Sequence, residues 1–145
     1  MKVFVSGQVK DYEYVREVQN LLEEAGHTIT HDWTQSETGS GFMTAADKQE
    51  NPNEASRRAV ADLDGVMECE AYIICTSNEV AGKGMYVELG AALAMAKYGN
   101  LAHIYLIGDM NHSTIFYSHP LIQHARSLED LLKQLSTGKT KLQEK

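Results

Sequence analysis

The chain has 145 residues and a formal net charge of −7, with 43% hydrophobic and 23% charged residues. A chain of this length buries most of its surface around one core, which indicates a single domain. The 13 Lys and Arg residues are scattered, which argues against a nucleic-acid partner because phosphate binding depends on clustered basic side chains. Residues 1–5 already enter a strand and no apolar run approaches transmembrane length, so we expect a cytoplasmic protein without a membrane partner.

Cysteine and histidine spacing gives no sign of a metal site. Cys69 and Cys75 lie in or beside an apolar run, too few for a disulfide framework and spaced unlike zinc ligands, so we expect buried, reduced thiols. None of the six histidines forms a helical metal-ligand pair in a supporting context. We therefore predict no metal and no cofactor.

The first half of the chain alternates between strand and helix patterns. Residues 2–6 predict a strand, and residues 11–25 predict an amphipathic helix that ends before Gly26. Residues 27–33 alternate between apolar and polar side chains, as a second strand does. Residues 34–53 are polar and interrupted by glycine and proline, which favours a mobile lid over a site.

The following segment predicts a helix that is capped by Asn53 and ends near Glu68. Its apolar side chains recur at helical spacing, which indicates a buried stripe. The stripe comprises Val60, Leu63, Val66 and Met67.

The second half continues the alternation of strands and helices. We expect strands at residues 71–75, 103–108 and 121–125, a helix at 85–97, and a last helix that opens at 127–130 with a capping-box pattern. Alternating units of this length predict a single-domain α/β fold, a doubly wound, five-stranded parallel sheet of the flavodoxin-like type. The domain should cover residues 1–136, followed by a polar, frayed tail at 137–145.

The most informative motif is the glycine-rich turn and helix at residues 81–94, AGKGMYVELGAALA, which follows the central strand. Open parallel sheets bind ligands at such junctions. Glu88 is expected in the first helical turn, where the helix dipole favours its ionised form, and on the same face as Ala91, Ala92 and Met95. A carboxylate there is suited to attack a carbon atom or to stabilise a cation. The alternative is an acidic residue that only complements the dipole.

Other candidate residues meet this junction if the sheet has the flavodoxin-like order. The loops that follow the first and third strands would then lie side by side, bringing Ser6 and Gly7 to Glu88. Asp62 and Asp64 lie among the apolar residues of the preceding helix, and their alternative interpretation is a solvated face.

Several segments together resemble the nucleoside 2-deoxyribosyltransferase superfamily, which includes the nucleoside 5'-monophosphate N-glycosidases. Their order and spacing agree with the elements above, and they span most of the chain. They are VFVSG at residues 3–7, ADLDGV at 61–66, EAYIIC at 70–75, GKGMYVELGAALA at 82–94 and IFYSHPL at 115–121.

The resemblance implies an enzyme in which Glu88 attacks the anomeric carbon of a (deoxy)ribosyl group and displaces the base. Water or a second base then resolves the glycosyl-enzyme. Asp62 matches the second acid beside the nucleophile, and it would hold a proton while Glu88 is charged. The implied substrate-binding positions are Phe4, Ser6, Gly7, Asp32, Trp33, Gly82, Gly84, Met85 and Asn111.

For some of these positions we expect a specific role in the site. Trp33 would stack on a base or serve as a partly buried structural residue. Phe4 stands where family members often carry a Tyr, so another group must orient the carboxylate, and Gly82 and Lys83 stand where the transferases carry an Asp. Lys83, Lys10 and the turn after the first strand are candidates for a 5'-phosphate site, the alternative being solvated lysines.

The resemblance also implies a homodimer or larger homo-oligomer. In the family, a neighbouring subunit completes the pocket from the segment after the fourth strand, which makes Asn111 the candidate contact. Phe116 and Tyr117 are expected at the same interface.

Three functional hypotheses follow. The first is an enzyme that cleaves or transfers the N-glycosidic bond of a nucleoside or nucleoside 5'-monophosphate. The second is a catalytically inactive nucleotide-binding module on the same fold. The third is a doubly wound interaction protein, against which the loop after the first strand lacks paired acids for a metal.

Overall fold

The computed structural model describes residues 1–35, 43–76, 83–101, 103–109 and 114–143. The strands are β1 (Lys2–Ser6), β2 (Thr28–Ile29), β3 (Ala71–Cys75), β4 (His103–Ile107) and β5 (Ile122–Ala125). The α-helices are α1 (Tyr12–Glu24), α2 (Ala45–Glu50), α3 (Pro52–Glu68), α4 (Lys83–Lys97) and α5 (Leu128–Gln143). Two 3-10 helices cover Val9–Asp11 and Ile115–Ser118.

The five strands form one sheet in the order β2-β1-β3-β4-β5, and every neighbouring pair is parallel. The predicted doubly wound, flavodoxin-like α/β fold is therefore confirmed. The chain leaves β1 toward one edge of the sheet and later returns to add β3 on the other side of β1. The carboxyl ends of β1 and β3, with Ser6 beside Ile74, thus form the switch point where such sheets bind ligands.

Alternating side chains divide the core into two layers. Val3, Val5 and Ile73 face one layer, which α1 and α5 cover through Val15 and Leu131 among others. The opposite face of the same strands packs against α3 and α4, and we call this second layer the α3/α4 layer. Its strand residues include Phe4, Tyr72 and Ile74, and its helical residues include Val66, Met85, Leu89 and Ala92.

The second strand is shorter than the predicted span of residues 27–33, because a side chain takes over its hydrogen bonding. Backbone pairing continues as far as Thr30, whose N–H donates to the carbonyl of Val3 at 2.9 Å. The next acceptor along β1, the carbonyl of Val5, instead receives the indole N–H of Trp33 at 2.7 Å. The chain therefore leaves the sheet edge after Ile29 without leaving this carbonyl unpaired.

The prediction of a lid over residues 34–53 is wrong for its carboxyl-terminal part, which is helical. Thr44 caps α2 by accepting the N–H of Asp47 at 3.1 Å, and the Asp47 carboxylate accepts the N–H of Thr44 in return. Pro52 then occupies the first position of α3, so Asn53 lies inside this helix and does not cap it. Residues 36–42 of the predicted lid lie outside the described part of the chain.

The buried stripe predicted for α3 is also wrong, since only Val66 of its four residues is buried. Val60, Leu63 and Met67 are exposed. The helix turns a different side to the sheet because Gly65 lies against it: a Cβ atom there would come within 2.7 Å of the Cβ atom of His31 and 3.0 Å of the Phe4 ring. This close approach leaves the other apolar side chains of α3 on the outer surface.

Three further features concern the ends of elements and the surface. Cys69 and Cys75 are free and buried, as expected. The backbone of α5 is helical to Gln143, past the predicted start of a polar tail at residue 137. Within the described residues, no helix combines the length and apolar character needed to cross a membrane.

Candidate active site

Glu88 lies in the second turn of α4, because the helix already begins at Lys83, two residues before the predicted start. The prediction of a first-turn position is therefore wrong. The side chain lies on the helix side that faces the α3/α4 layer, where Ala92 is buried and Ala91 and Met95 pack against the core. Its Oε2 atom is buried and has no hydrogen-bond partner among the described residues.

The environment of Glu88 favours the neutral acid. Burial is the main cause, and the charge of Asp62 adds to it, raising the pKa of Glu88 from 4.5 to about 8. The Ser6 hydroxyl acts in the opposite direction and lowers this pKa. The helix dipole was expected to favour the ionised form of Glu88, but in the free protein desolvation acts more strongly in the opposite direction. The Glu88 carboxyl group therefore holds its proton to a higher pH than a solvated carboxyl group does.

Ser6 and Gly7 lie where β1 ends, as predicted, and they have different roles. Ser6 is fully buried, and its Oγ atom lacks a hydrogen-bond partner within the described part of the chain. Gly7 permits close packing, since a Cβ atom there would lie 2.8 Å from Cγ2 of Val15 on α1. The structure brings Ser6 to Glu88, whereas Gly7 positions α1 beside the end of β1.

Asp62 is paired with a histidine that follows β2. Its Oδ1 atom lies 3.2 Å from Nε2 of His31, and both side chains are about one-third exposed, at 36% and 33%. Gly65, one turn along α3, sets this contact by allowing the helix to approach His31. Thr30 supports it by donating its hydroxyl to the Gly65 carbonyl at 2.7 Å. Asp64 is exposed, in agreement with its interpretation as part of a solvated face.

Gly84 and Met85 begin the helix that carries Glu88. A Cβ atom on Gly84 would lie 3.8 Å from Oε1 of Glu88, so the missing side chain leaves this carboxyl oxygen open on one side. The Met85 side chain is 1% exposed and packs in the α3/α4 layer. A role for Met85 in substrate binding remains a prediction, and its side chain serves the core.

Phe4 is fully buried and stacks on Tyr72, with ring centroids 6.1 Å apart. Sequence reasoning missed Tyr72, whose Oη atom lies 3.4 Å from the Met85 carbonyl oxygen. The pKa of Tyr72 rises well above 10 through burial first and then through the charge of Glu88. Tyr72 lies directly opposite Phe4 on the neighbouring strand, which would have placed it near the site, but the sequence does not give this strand register.

Asp32 and Trp33 take part in a different set of contacts. The Asp32 carboxylate accepts the N–H and hydroxyl of Thr34, and Arg16 of α1 also binds Thr34. Asp32 lines an open groove near the end of α1, together with His27 and other residues. Trp33 contacts both core layers and bonds to β1, which favours the structural alternative for this residue.

The remaining predicted positions divide into two groups. Gly82 and Asn111 lie outside the described residues. Tyr117, expected at an interface, is instead fully buried, while Phe116 is exposed. In the described ranges, no group of three or more His, Cys, Asp or Glu side chains has an arrangement suited to a metal ion.

Comparison with known proteins agrees with this architecture. No protein-family model and no curated protein sequence matches the chain. Among solved structures, the chain is similar to the Clostridium botulinum CMP N-glycosidase BcmB, with a TM-score of 0.53 and 19% identity over 94% of this chain and 99% of that one. The chain has the fold of this N-glycosidase. The resemblance seen in the sequence is thereby confirmed at the level of fold.

The two candidate acids lie in different environments. Glu88 has a buried carboxyl oxygen, and Asp62 is partly exposed beside a histidine. A neutral carboxyl group close to a second carboxylate can give up its proton and then act as a poorly solvated anion. This combination supports nucleophilic attack together with proton donation.

Proposed function

We propose that this protein is an enzyme that cleaves or transfers the N-glycosidic bond of a nucleoside or nucleoside 5'-monophosphate through a covalent glycosyl-Glu88 intermediate. One observation carries the proposal: in a protein with the fold of an N-glycosidase, a buried carboxyl oxygen of Glu88 has no hydrogen-bond partner among the described residues. A buried polar atom normally has a hydrogen-bond partner. Its position at the switch point supports a ligand as that partner.

In the proposed first step, the pair of acids redistributes one proton. In the free protein, burial places the proton on Glu88, beside Asp62. As the glycosidic bond of the bound nucleotide begins to break, the cationic character that develops at the sugar stabilises the Glu88 anion, and the proton moves to the Asp62 side chain. Two neighbouring carboxyl groups that share one proton can thus exchange the roles of acid and nucleophile.

The bond change follows from these roles. The Glu88 carboxylate forms a bond to the anomeric carbon while the bond from that carbon to the base nitrogen breaks, and its electron pair moves onto the base. Asp62 donates its proton to the departing base, and His31, 3.2 Å away, stabilises the Asp62 carboxylate that results. Water or a second base then attacks the same carbon and releases Glu88.

The choice of substrate class rests on the chemistry of the neighbour and of the loop. BcmB is named as a CMP N-glycosidase, which makes pyrimidine nucleoside 5'-monophosphates the first candidates. The turn after β1 leads into a 3-10 helix that carries the exposed Lys10. A cation beside such a turn is compatible with a 5'-phosphate.

The test is a panel of nucleosides and nucleoside 5'-monophosphates incubated with the purified protein, with release of free base measured by chromatography. We expect release from at least one monophosphate, and a fall of at least about 10³-fold for Glu88→Gln, as for removal of a nucleophile. Glu68→Gln is the matched control, since Glu68 is an exposed acid at the end of α3.

Three outcomes separate the alternatives. Release that is lost with Glu88→Gln and retained with Glu68→Gln supports the proposal. Nucleotide binding without release of base would instead favour the inactive binding module. Adding a free acceptor base to an active sample separates transfer, which yields a new nucleoside, from hydrolysis.

We further propose that the protein acts as a homo-oligomer through the outer side of α3 and α4. These helices pack against each other, and several of their large apolar side chains are exposed. For example, the side chain of Val87 is 71% exposed. A helix such as α4, which is apolar around most of its circumference, is typical of a buried position. We call this surface the outer apolar face; it comprises Val60, Leu63, Met67, Val87 and Tyr98.

A further inference from the structure

The side of the sheet that faces α4 contains a hydroxyl group that the proposed mechanism does not yet use. Tyr72 lies in the middle of β3, is fully buried, and directs its side chain into the α3/α4 layer. Its neighbour across the strands is Phe4, and the two rings are nearly parallel, with an angle of 6° between them. Ser6 follows Phe4 by two residues and so faces the same layer.

The hydrogen bonding of Tyr72 is weaker than its burial requires. Its Oη atom lies 3.4 Å from the carbonyl oxygen of Met85, at the long limit for a hydroxyl bond, where 2.7–2.8 Å is usual. Met85 precedes Glu88 by three residues, so this contact places the hydroxyl beside the helical turn that carries the carboxyl group. Because a hydroxyl proton rotates about the C–O bond, it can turn toward a stronger acceptor nearby.

Three poorly satisfied polar groups therefore share one apolar layer. By the geometry of the described residues, Ser6 Oγ and Glu88 Oε2 have no hydrogen-bond partner, and the only hydrogen bond of Tyr72 Oη among them is the long contact to Met85. Ser6 nevertheless lies near enough to both other groups to lower their pKa values. Electrostatics agree with this proximity, since the charge of Glu88 raises the pKa of Tyr72 and the Ser6 hydroxyl lowers it. Because the pKa of Tyr72 lies well above 10, its hydroxyl group keeps its proton at neutral pH and remains a donor.

We propose that Tyr72 is a positioning residue for Glu88: when the carboxyl group ionises, the Tyr72 hydroxyl turns from the Met85 carbonyl and donates to the carboxylate. This inference rests on the proposed function and names the group that orients the nucleophile. A hydrogen bond to a charged acceptor is about twice as strong as one to a neutral carbonyl, so the exchange favours the anion. It also fixes which carboxylate oxygen remains available for attack.

The variant that tests this role is Tyr72→Phe, which removes one oxygen atom and keeps the ring stacked on Phe4. Losing a charge-assisted bond is expected to raise the pKa of Glu88 by about one unit. It should also lower kcat about 10-fold or more while KM changes little, because the bond matters only after ionisation. The pKa is measured by carbon NMR titration of the free protein, which requires no turnover.

Two further variants distinguish positioning from packing. Tyr105→Phe is the matched control, since Tyr105 is also buried but faces the other core layer, and it should leave both the pKa of Glu88 and kcat unchanged. The double variant Phe4→Tyr with Tyr72→Phe supplies a hydroxyl group from the paired position on β1 instead of β3. It should restore part of the loss in kcat and part of the shift in the pKa of Glu88.

The outcomes keep the two proposals apart. A pKa of Glu88 in Tyr72→Phe within about 0.3 units of the wild-type value, measured in a folded sample, overturns the positioning role whether or not the protein is active. If no nucleotide loses its base while the titration shifts as expected, the proposed function fails and the contact between Tyr72 and Glu88 stands. Equal effects of Tyr72→Phe and Tyr105→Phe would reduce Tyr72 to a packing residue.

Discussion

At the scale of single residues, burying an ionised carboxyl group costs free energy of folding, and a raised pKa is the sign of this cost. Glu88 is deprotonated in the unfolded chain above pH 4.5 but keeps its proton in the folded protein up to about pH 8. Between these values the folded state binds one more proton than the unfolded state, so stability decreases as the pH rises. Glu88 therefore opposes folding at the pH values at which its carboxyl group ionises, which is the form that the proposed mechanism requires.

The measurable consequence is a pH dependence of unfolding that Glu88→Gln removes. From pH 5 to pH 8 the wild-type free energy of unfolding should fall by roughly 3 kcal/mol more than that of the variant, because the slope reaches about 1.4 kcal/mol per pH unit only well between the two pKa values. Denaturant titrations of both proteins at the two pH values provide the comparison. Parallel curves for the two proteins would show that Glu88 has an ordinary pKa.

Sequence reasoning found the two acids but not their states. Glu88 and Asp62 were recognisable from the glycine-rich turn and the preceding helix. Their environments depend on contacts between distant segments. Burial of the Glu88 side chain and the charge of Asp62 raise the pKa of Glu88, and Gly65 allows Asp62 to approach His31. Tyr72 was not predicted for the same reason: the hydrophobic pattern of a buried strand does not show whether one inward side chain carries a hydroxyl group near the site.

At the scale of secondary-structure elements, the start of α4 must form a helix and, in the proposed mechanism, must leave the Glu88 carboxyl group accessible. Gly84 is a poor helix former, yet it leaves Oε1 of Glu88 uncovered. Gly90, two turns further along, is exposed, and a Cβ atom there would contact nothing within 4 Å. The same substitution at these two glycines thus separates helix propensity from access to the carboxyl group.

We expect Gly84→Ala to retain or raise the unfolding temperature and to lower kcat/KM at least about 10-fold, because its methyl group contacts the carboxyl oxygen that must meet the sugar. Gly90→Ala should raise stability by up to about 1 kcal/mol and leave kcat/KM unchanged. Thermal unfolding and steady-state rates measure both effects. Full activity in Gly84→Ala would mean that substrate does not approach over this residue.

The sequence predicted the helices and strands well where hydrophobic periodicity is strong, and less well where a side chain replaces the backbone. Strands β1 and β3 match the predicted bounds, because both are buried and apolar. The second strand ends early because the Trp33 indole takes the place of a backbone donor. Helix α3 has the right extent but the wrong inward face, since periodicity cannot reveal a glycine contact that rotates the helix.

At the scale of the whole molecule, the outer apolar face is the feature that a single copy does not explain. An exposed apolar surface on neighbouring helices is typical of an interaction site. A second copy of the chain would bury it. The two acids of the proposed mechanism, Asp62 and Glu88, belong to α3 and α4, so association would also hold these acids in their relative positions.

We expect the wild-type protein to sediment as a dimer or larger homo-oligomer at micromolar concentration, and Leu63→Glu to shift it toward the monomer, because a charge cannot be buried there without a partner. Asn20→Glu adds the same charge to an exposed position of α1 and should not alter the assembly. Sedimentation velocity measures both. A wild-type monomer under these conditions would contradict the assignment of this face.

The most direct measurement of the central claim is the stereochemistry of the sugar product. With a nucleotide that loses its base, the reaction is run in dilute methanol, and the configuration at the anomeric carbon of the methyl glycoside is determined by NMR. A covalent bond to Glu88 followed by a second displacement predicts retention, the β anomer from a β nucleotide. An inverted product, or a mixture of both anomers, would contradict attack by Glu88 on the anomeric carbon.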